Sequence, residues 1–117
     1  MNTKKPEARV KADVKKLLNA YGAHNFWPVQ SGFGAPALDA IVCDRGRYAS
    51  VETKAPGKKL TPRQELTRSD IEAAGRKVIV IGERLVDEPR AITVGTVTIK
   101  LIYSGMLELA EWLRLER

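Results

Sequence analysis

Three residues have types and spacing that suggest chemistry: Asp39, Glu52 and Lys54. Glu52 and Lys54 are two residues apart in a strand-like run, so they share a face with Cα atoms roughly 7 Å apart. Asp39 lies 13 residues before Glu52, on a preceding strand that a tight turn can bring alongside. Two carboxylates and a lysine converging at strand ends are the minimum equipment of a magnesium-dependent phosphodiesterase. The carboxylates are hard oxygen ligands, and Mg²⁺ typically keeps several waters and takes the substrate phosphate too. Such a centre stabilises developing charge and makes water a better nucleophile. The lysine can hold or deprotonate that water, or neutralise the phosphate.

Each residue also has a plainer reading. Glu-x-Lys on a strand is commonly a solvated face with a weak pair. Asp39 interrupts the apolar run Leu38-Asp39-Ala40-Ile41-Val42-Cys43, and a carboxylate buried there without a partner costs several kcal/mol. Gln64 completes a capping box with Thr61, yet it shares a helix face with Thr67, Ile71 and Ala74 and so points inward near the strand ends. Glu7 can complement the positive end of a helix dipole. His24 stands alone, and Cys43 has no metal-ligand spacing and reads as packing. The glycines fit no Walker or dinucleotide pattern, so no small-molecule cofactor is implied.

The elements that must position these groups follow from periodicity. Val10, Val14, Leu17, Leu18 and Tyr21 make one helical stripe from about Pro6 to Tyr21, closed by Gly22. On that wheel Glu7 falls about 35° from the stripe centre and Asp13 about 85°, so Glu7 faces the body and Asp13 grazes its edge. Residues 22–36 read as a loop, with Phe26-Trp27 packing a short strand or edge. A strand from Leu38 to Cys43, with Asp39, Ile41 and Cys43 on one face, turns at Asp44-Arg45-Gly46-Arg47 into a strand from Tyr48 to Lys54. Thr61-Pro62-Arg63-Gln64 opens a helix that ends at Gly75. Lys77–Ile81 is then a strand covered on both faces, completing a βαβ unit. Glu83 to Arg90 reads as a loop and Ala91 to Tyr103 as one or two strands. Ser104 caps a last helix from Gly105 to Arg117, whose stripe is Met106, Leu109, Ala110 and Leu113. Leu107, Trp112 and Leu115 lie off that stripe and suggest a second partner. The fold class is therefore α/β with an α+β-like mixed sheet.

The chain has 117 residues, one domain's worth, and a net charge of +6. A sequence pI of 9.7 is the footprint of a nucleic-acid binder. The charge is segregated: residues 1–16 hold six Lys or Arg against two acids, and 45–68 hold seven against two, while 105–117 hold two against three. A single cysteine, no membrane-length apolar run and no signal-peptide core lead us to expect a cytoplasmic protein.

The order of these features resembles the PD-(D/E)XK nuclease superfamily, and within it the small stand-alone VRR-NUC proteins of phages and bacteria. The match covers about residues 5–82. It runs through a helix with Glu7, Gly34-Ala35-Pro36-Ala37-Leu38-Asp39, Val51-Glu52-Thr53-Lys54, Thr61-Pro62-Arg63-Gln64, and Gly75 before an apolar strand. The family commonly has aspartate directly after the proline, whereas Ala37 and Leu38 intervene here, which requires Asp39 to reach the site from a shifted register. The resemblance implies a restriction-endonuclease-like αβββαβ core, followed by a C-terminal strand or hairpin and a helix, and Mg²⁺-dependent cleavage of DNA, with Mn²⁺ able to substitute. Glu7, Asp39, Glu52 and the backbone carbonyl of Thr53 would bind metal. Lys54 would orient or activate water, and Gln64 would steady Lys54 or the scissile phosphate. Lys4, Lys5, Lys11, Lys58, Lys59 and Arg63 would contact DNA. Some stand-alone relatives look like dimeric resolvases of four-way junctions, so branched DNA and a homodimer are expected, in a bacterial or phage-infected cytosol. The rival reading is a non-catalytic, basic nucleic-acid-binding module on the same fold.

Overall fold

The computed structural model describes residues 5–28 and 38–115. Lys4 and the Gly34-Ala35-Pro36-Ala37 motif fall outside the described residues. Helix α1 spans Pro6–Ala20, with proline in the first turn, where the missing N–H costs nothing. Its stripe Val10, Val14, Leu17 and Leu18 is wholly buried, and the chain leaves the helix through Tyr21 and Gly22 as expected.

Strands β1 (His24–Phe26), β2 (Ala40–Asp44), β3 (Arg47–Thr53) and β4 (Lys77–Ile81) form one sheet in that order. The first two pairings are antiparallel and β3–β4 is parallel across helix α2, Pro62–Ala73. The β2–β3 turn is the two-residue Arg45-Gly46, both at positive φ, the primed geometry whose twist matches a hairpin. The strand expected from Leu38 begins two residues later. The Asp39 N–H donates to the Glu52 carboxylate rather than to a β3 carbonyl, so the backbone ladder starts at Ala40.

Register assigns the faces. Val42, Val51, Ile79 and Ile81 point to the core shared with α1 and the C-terminal elements, while Ser50, Glu52, Val78 and Val80 point to the side where α2 packs on β4. α2 starts with the full capping box of Thr61 and Gln64.

The C-terminal region departs from expectation twice. Residues 83–90 are not simply a loop. β5 (Leu85–Val94) pairs antiparallel with β6 (Val97–Tyr103), and a step of five residues on β5 matches two on β6 between the Leu85 and Arg90 pairings. Asp87, Glu88 and Pro89 sit in that irregularity, where a residue without an N–H is tolerated. Helix α3 spans Met106–Arg114 and buries its expected stripe, but Ser104 does not cap it. The N-cap is Gly105 at φ +85°, and the Ser104 hydroxyl accepts the Arg84 N–H instead. Trp112 also has a partner within the chain, since the Arg47 guanidinium lies 4.4 Å from its ring centre. Among the described helices none is long and apolar enough to cross a membrane.

One glycine matters directly to the Lys54 end of β3. Gly82 adopts φ +104°, and a Cβ there would stand 2.0 Å from the Lys54 carbonyl oxygen. Gly82→Ala is therefore expected to destabilise the fold by about 2–4 kcal/mol, read as a fall in the urea midpoint at unchanged m-value.

Candidate active site

The Asp39, Glu52 and Lys54 cluster forms where β1 stops short. β1 ends at Phe26, opposite Ile41, so it does not reach the Asp39 end of β2. At that end of the sheet α1 brings Glu7 from its first turn. One oxygen from each of Glu7, Asp39 and Glu52 lies within 4.8 Å of the others. Glu7, Asp39, Glu52, Lys54 and Gln64 line a common cleft of about 570 Å³ with Lys11, Lys15, Trp27 and Pro28.

Asp39 and Glu52 are both held by the chain. Asp39 Oδ2 accepts from the Thr53 N–H at 2.9 Å and its hydroxyl at 2.7 Å. Lys11 Nζ stands 3.8 Å from Asp39 Oδ1. Glu52 accepts from the Asp39 N–H at 3.0 Å and from Gln64 Nε2 at 3.2 Å, with Lys54 Nζ 3.7 Å away. In a strand the N–H and C=O of one residue point to the same edge, so the Thr53 carbonyl faces Asp39. Gln64 does both things its sequence context suggested. Its Oε1 accepts the Thr61 N–H in the capping box while its amide reaches Glu52. Gln64 was expected to steady Lys54 or the scissile phosphate; the contact it makes is with Glu52 Oε2, the oxygen that Lys54 Nζ approaches at 3.7 Å.

Glu52 is 2% exposed. Burial pushes its carboxyl up from 4.5 to about 7, the Asp39 charge adds to this, Lys54 and the Asp39 N–H oppose it, and Glu7 raises it further. Lys11 and Lys54, the ammonium groups nearest Asp39 and Glu52, do not offset the cost of burying Glu52 beside a second carboxylate. A divalent cation fits the donor set: all three side chains offer hard oxygens, and no histidine or cysteine belongs to the cluster. His24 is exposed and Cys43 half-buried.

The expected DNA-contacting residues are distributed unevenly. Lys11 lies in the cleft, while Lys5 precedes α1 and Lys58, Lys59 and Arg63 are exposed beyond Lys54. Residues 45–68 do not make one continuous phosphate-facing surface. Arg45 and Arg47 sit at the opposite end of β3, roughly 20 Å away, paired with Asp44 at 3.2 and 3.1 Å. Arg45 also donates to the Leu113 and Leu115 carbonyls. Sequence reasoning missed Lys15 and Trp27 as cleft residues. The available signal was helical spacing, since Glu7, Lys11 and Lys15 recur every four residues on one face of α1.

No family profile matches this chain, and no curated protein is similar to it. Among solved structures it is similar to a Holliday junction resolvase from the archaeal hyperthermophile Archaeoglobus fulgidus, with a TM-score of 0.57 and 15% identity over 91% of this chain and 98% of that one. The likeness carries the fold, the restriction-endonuclease-like arrangement expected for the PD-(D/E)XK superfamily; it does not reach the narrower VRR-NUC family.

A raised carboxyl makes a stability prediction with a definite sign. Glu52 favours the fold fully below about pH 4.5, and that contribution is lost as pH rises through about 7. Ionised Glu52 then costs on the order of 3 kcal/mol. In EDTA, wild type is expected to lose stability from about pH 5 to about pH 8, and Glu52→Gln to lack most of that fall. Thermal melts across this range check the trend.

Proposed function

We propose that this protein is a Mg²⁺-dependent endodeoxyribonuclease of the VRR-NUC type that hydrolyses phosphodiester bonds in branched DNA. The observation that carries this reading is the Glu7, Asp39 and Glu52 triad within 4.8 Å, beside Lys54, in an open cleft. The fold shared with a junction resolvase supports it.

Glu7, Asp39, Glu52 and the Thr53 carbonyl would hold the cation, which when bound offsets charge building on the scissile phosphate and acidifies water. The chain's own residues do the rest. Thr53 fixes Asp39 Oδ2 with two donors, leaving Oδ1 turned to Lys11. Gln64 and the Asp39 N–H each take one Glu52 oxygen and set the orientation of that carboxylate. Lys54 is mostly buried, and its ammonium is placed to hold the attacking water or the phosphate oxygen. Lys5, Lys58, Lys59 and Arg63 meet flanking phosphates, each contact steepening the salt dependence by about 0.9 log unit.

Two symmetric cuts across a junction require two centres and one chain supplies one, so we take the working unit as a homodimer in the cytoplasm. Trp112 of α3, engaged by Arg47, is a poorer contact surface than the sheet face that carries Phe26 and Tyr48, each 57% exposed. Light scattering is expected to give twice the chain mass; a monomer at micromolar concentration would remove the dimer.

Labelled four-way junction, flap, duplex and single-stranded DNA, incubated with Mg²⁺, Mn²⁺ or EDTA, test the nuclease. Metal-dependent cleavage, with branched DNA cut fastest, is expected. Glu52→Ala and Lys54→Ala should each lower the rate about 10³-fold while retaining binding. Salt-sensitive binding without cleavage under any metal would instead identify a non-catalytic nucleic-acid module.

A further inference from the structure

The cleft has a wall that the hydrolytic chemistry does not use. Trp27 and Pro28 line it together with the carboxylates, and the indole is anchored rather than loosely packed. Its Nε1–H donates to Asn25 Oδ1 at 2.9 Å. The Asn25 amide donates in turn to Asn19 Oδ1 and the Ala23 carbonyl, both at 3.0 Å. The end of α1 and the start of β1 therefore set the ring plane before any ligand arrives.

Lys15 Nζ lies 5.0 Å from the ring centre. Trp27 packs partly against the core, and among the described residues Lys15, exposed and itself lining the cleft, lies over its ring. Glu7, Lys11 and Lys15 form one row along α1, about 6 Å per step. The row leads from the carboxylates, past a lysine paired with Asp39, to a lysine over an aromatic ring. A polyanionic strand running along that row would have phosphates near Lys11 and Lys15 and a base at the height of Trp27.

We propose that Trp27 is a nucleobase platform: a base unpaired from its complement stacks on the anchored indole while a phosphate further along the same strand lies at the Glu7, Asp39 and Glu52 cluster. This rests on the nuclease reading and narrows its substrate class. In a continuous duplex both faces of each base are covered by neighbours, so only a branch point, flap or single strand offers a face to the indole. Stacking of this kind tolerates any base, so the platform selects DNA structure without selecting sequence. Lys15 swings from the ring to a phosphate when the base arrives.

The test uses the full chain in EDTA, where binding is separated from cutting, and fluorescein-labelled DNA in three forms: duplex with a short single-stranded flap, the same flap made abasic, and fully paired duplex. Wild type is expected to bind the flap about tenfold tighter than the abasic flap or the duplex. Trp27→Ala should lose that preference and bind all three alike, and Trp27→Phe should restore most of it. A Trp27→Ala variant that weakens all three equally would make Trp27 merely structural and overturn the platform, as would wild type indifferent to base removal. The wild-type abasic comparison decides the matter even if Trp27→Ala fails to fold. Parallel cleavage in Mg²⁺ separates the two readings. Cutting without a base-dependent preference overturns the platform alone, and a base-dependent preference without cutting overturns the nuclease alone.

Discussion

Three carboxylates crowded at the end of a sheet are the constraint around which this structure is arranged. Glu52 is almost fully buried, beside Asp39 and near Glu7. Left alone, such a group would be driven neutral or would push the strands apart. The chain answers with donors rather than distance: the Asp39 N–H, the Gln64 amide and the Lys54 ammonium on Glu52, and two Thr53 donors on Asp39. These contacts account for much of the local geometry, including why β2 begins after Asp39. Burial, with the Asp39 charge beside it, still leaves Glu52 with a carboxyl near 7, so the cluster is disposed to accept a cation.

The rest of the fold works to keep that strand end in place. Parallel pairing of β3 with β4 carries the ladder one bond past β3, where the Lys54 N–H donates to the Ile81 carbonyl at 2.8 Å. Gly82 then leaves room for the Lys54 backbone. Below the sheet, the buried stripe of α1 fixes the helix rotation that turns Glu7 into the cleft, and above it the capping box fixes Gln64. One residue's contribution to helix stability is thus inseparable from its contribution to the site. Far from the cleft, Asp44 holds Arg45 and Arg47, and these clasp the end of α3 and the face of Trp112. Basic residues that look alike in a charge count therefore divide into a structural set and a set available to a phosphate backbone.

Much of this was legible in the order of residues because the responsible interactions are local. The α1 stripe, the Arg45-Gly46 turn, the Thr61 capping box and the apolar β4 run each depend on neighbours within a turn or a hairpin. Pro89 and the acids before it hid β5, because a bulge that accommodates proline is defined by a partner strand the local sequence does not specify. Ser104 had the chemistry of a cap, yet a Cβ at position 105 would stand 2.1 Å from the Val80 carbonyl oxygen, and close approach to β4 decided the helix start. Trp112 looked like a surface awaiting a partner because Arg47 is distant in sequence.

By itself the sequence determined α1, the β2–β3 hairpin, α2 and β4, the residue types of the acidic and basic groups, and the placing of Glu52 and Lys54 on one strand face. These follow from periodicity, capping and alternation, which act over a few residues. Only the tertiary structure decided how closely Glu7 joins Asp39 and Glu52, that Gln64 reaches the Glu52 carboxylate, and that Trp27 faces the same cleft. Those relations depend on the rotation of α1 against the sheet and on how far β1 extends. Both are set by packing between elements distant in the chain, and no local pattern encodes such distances.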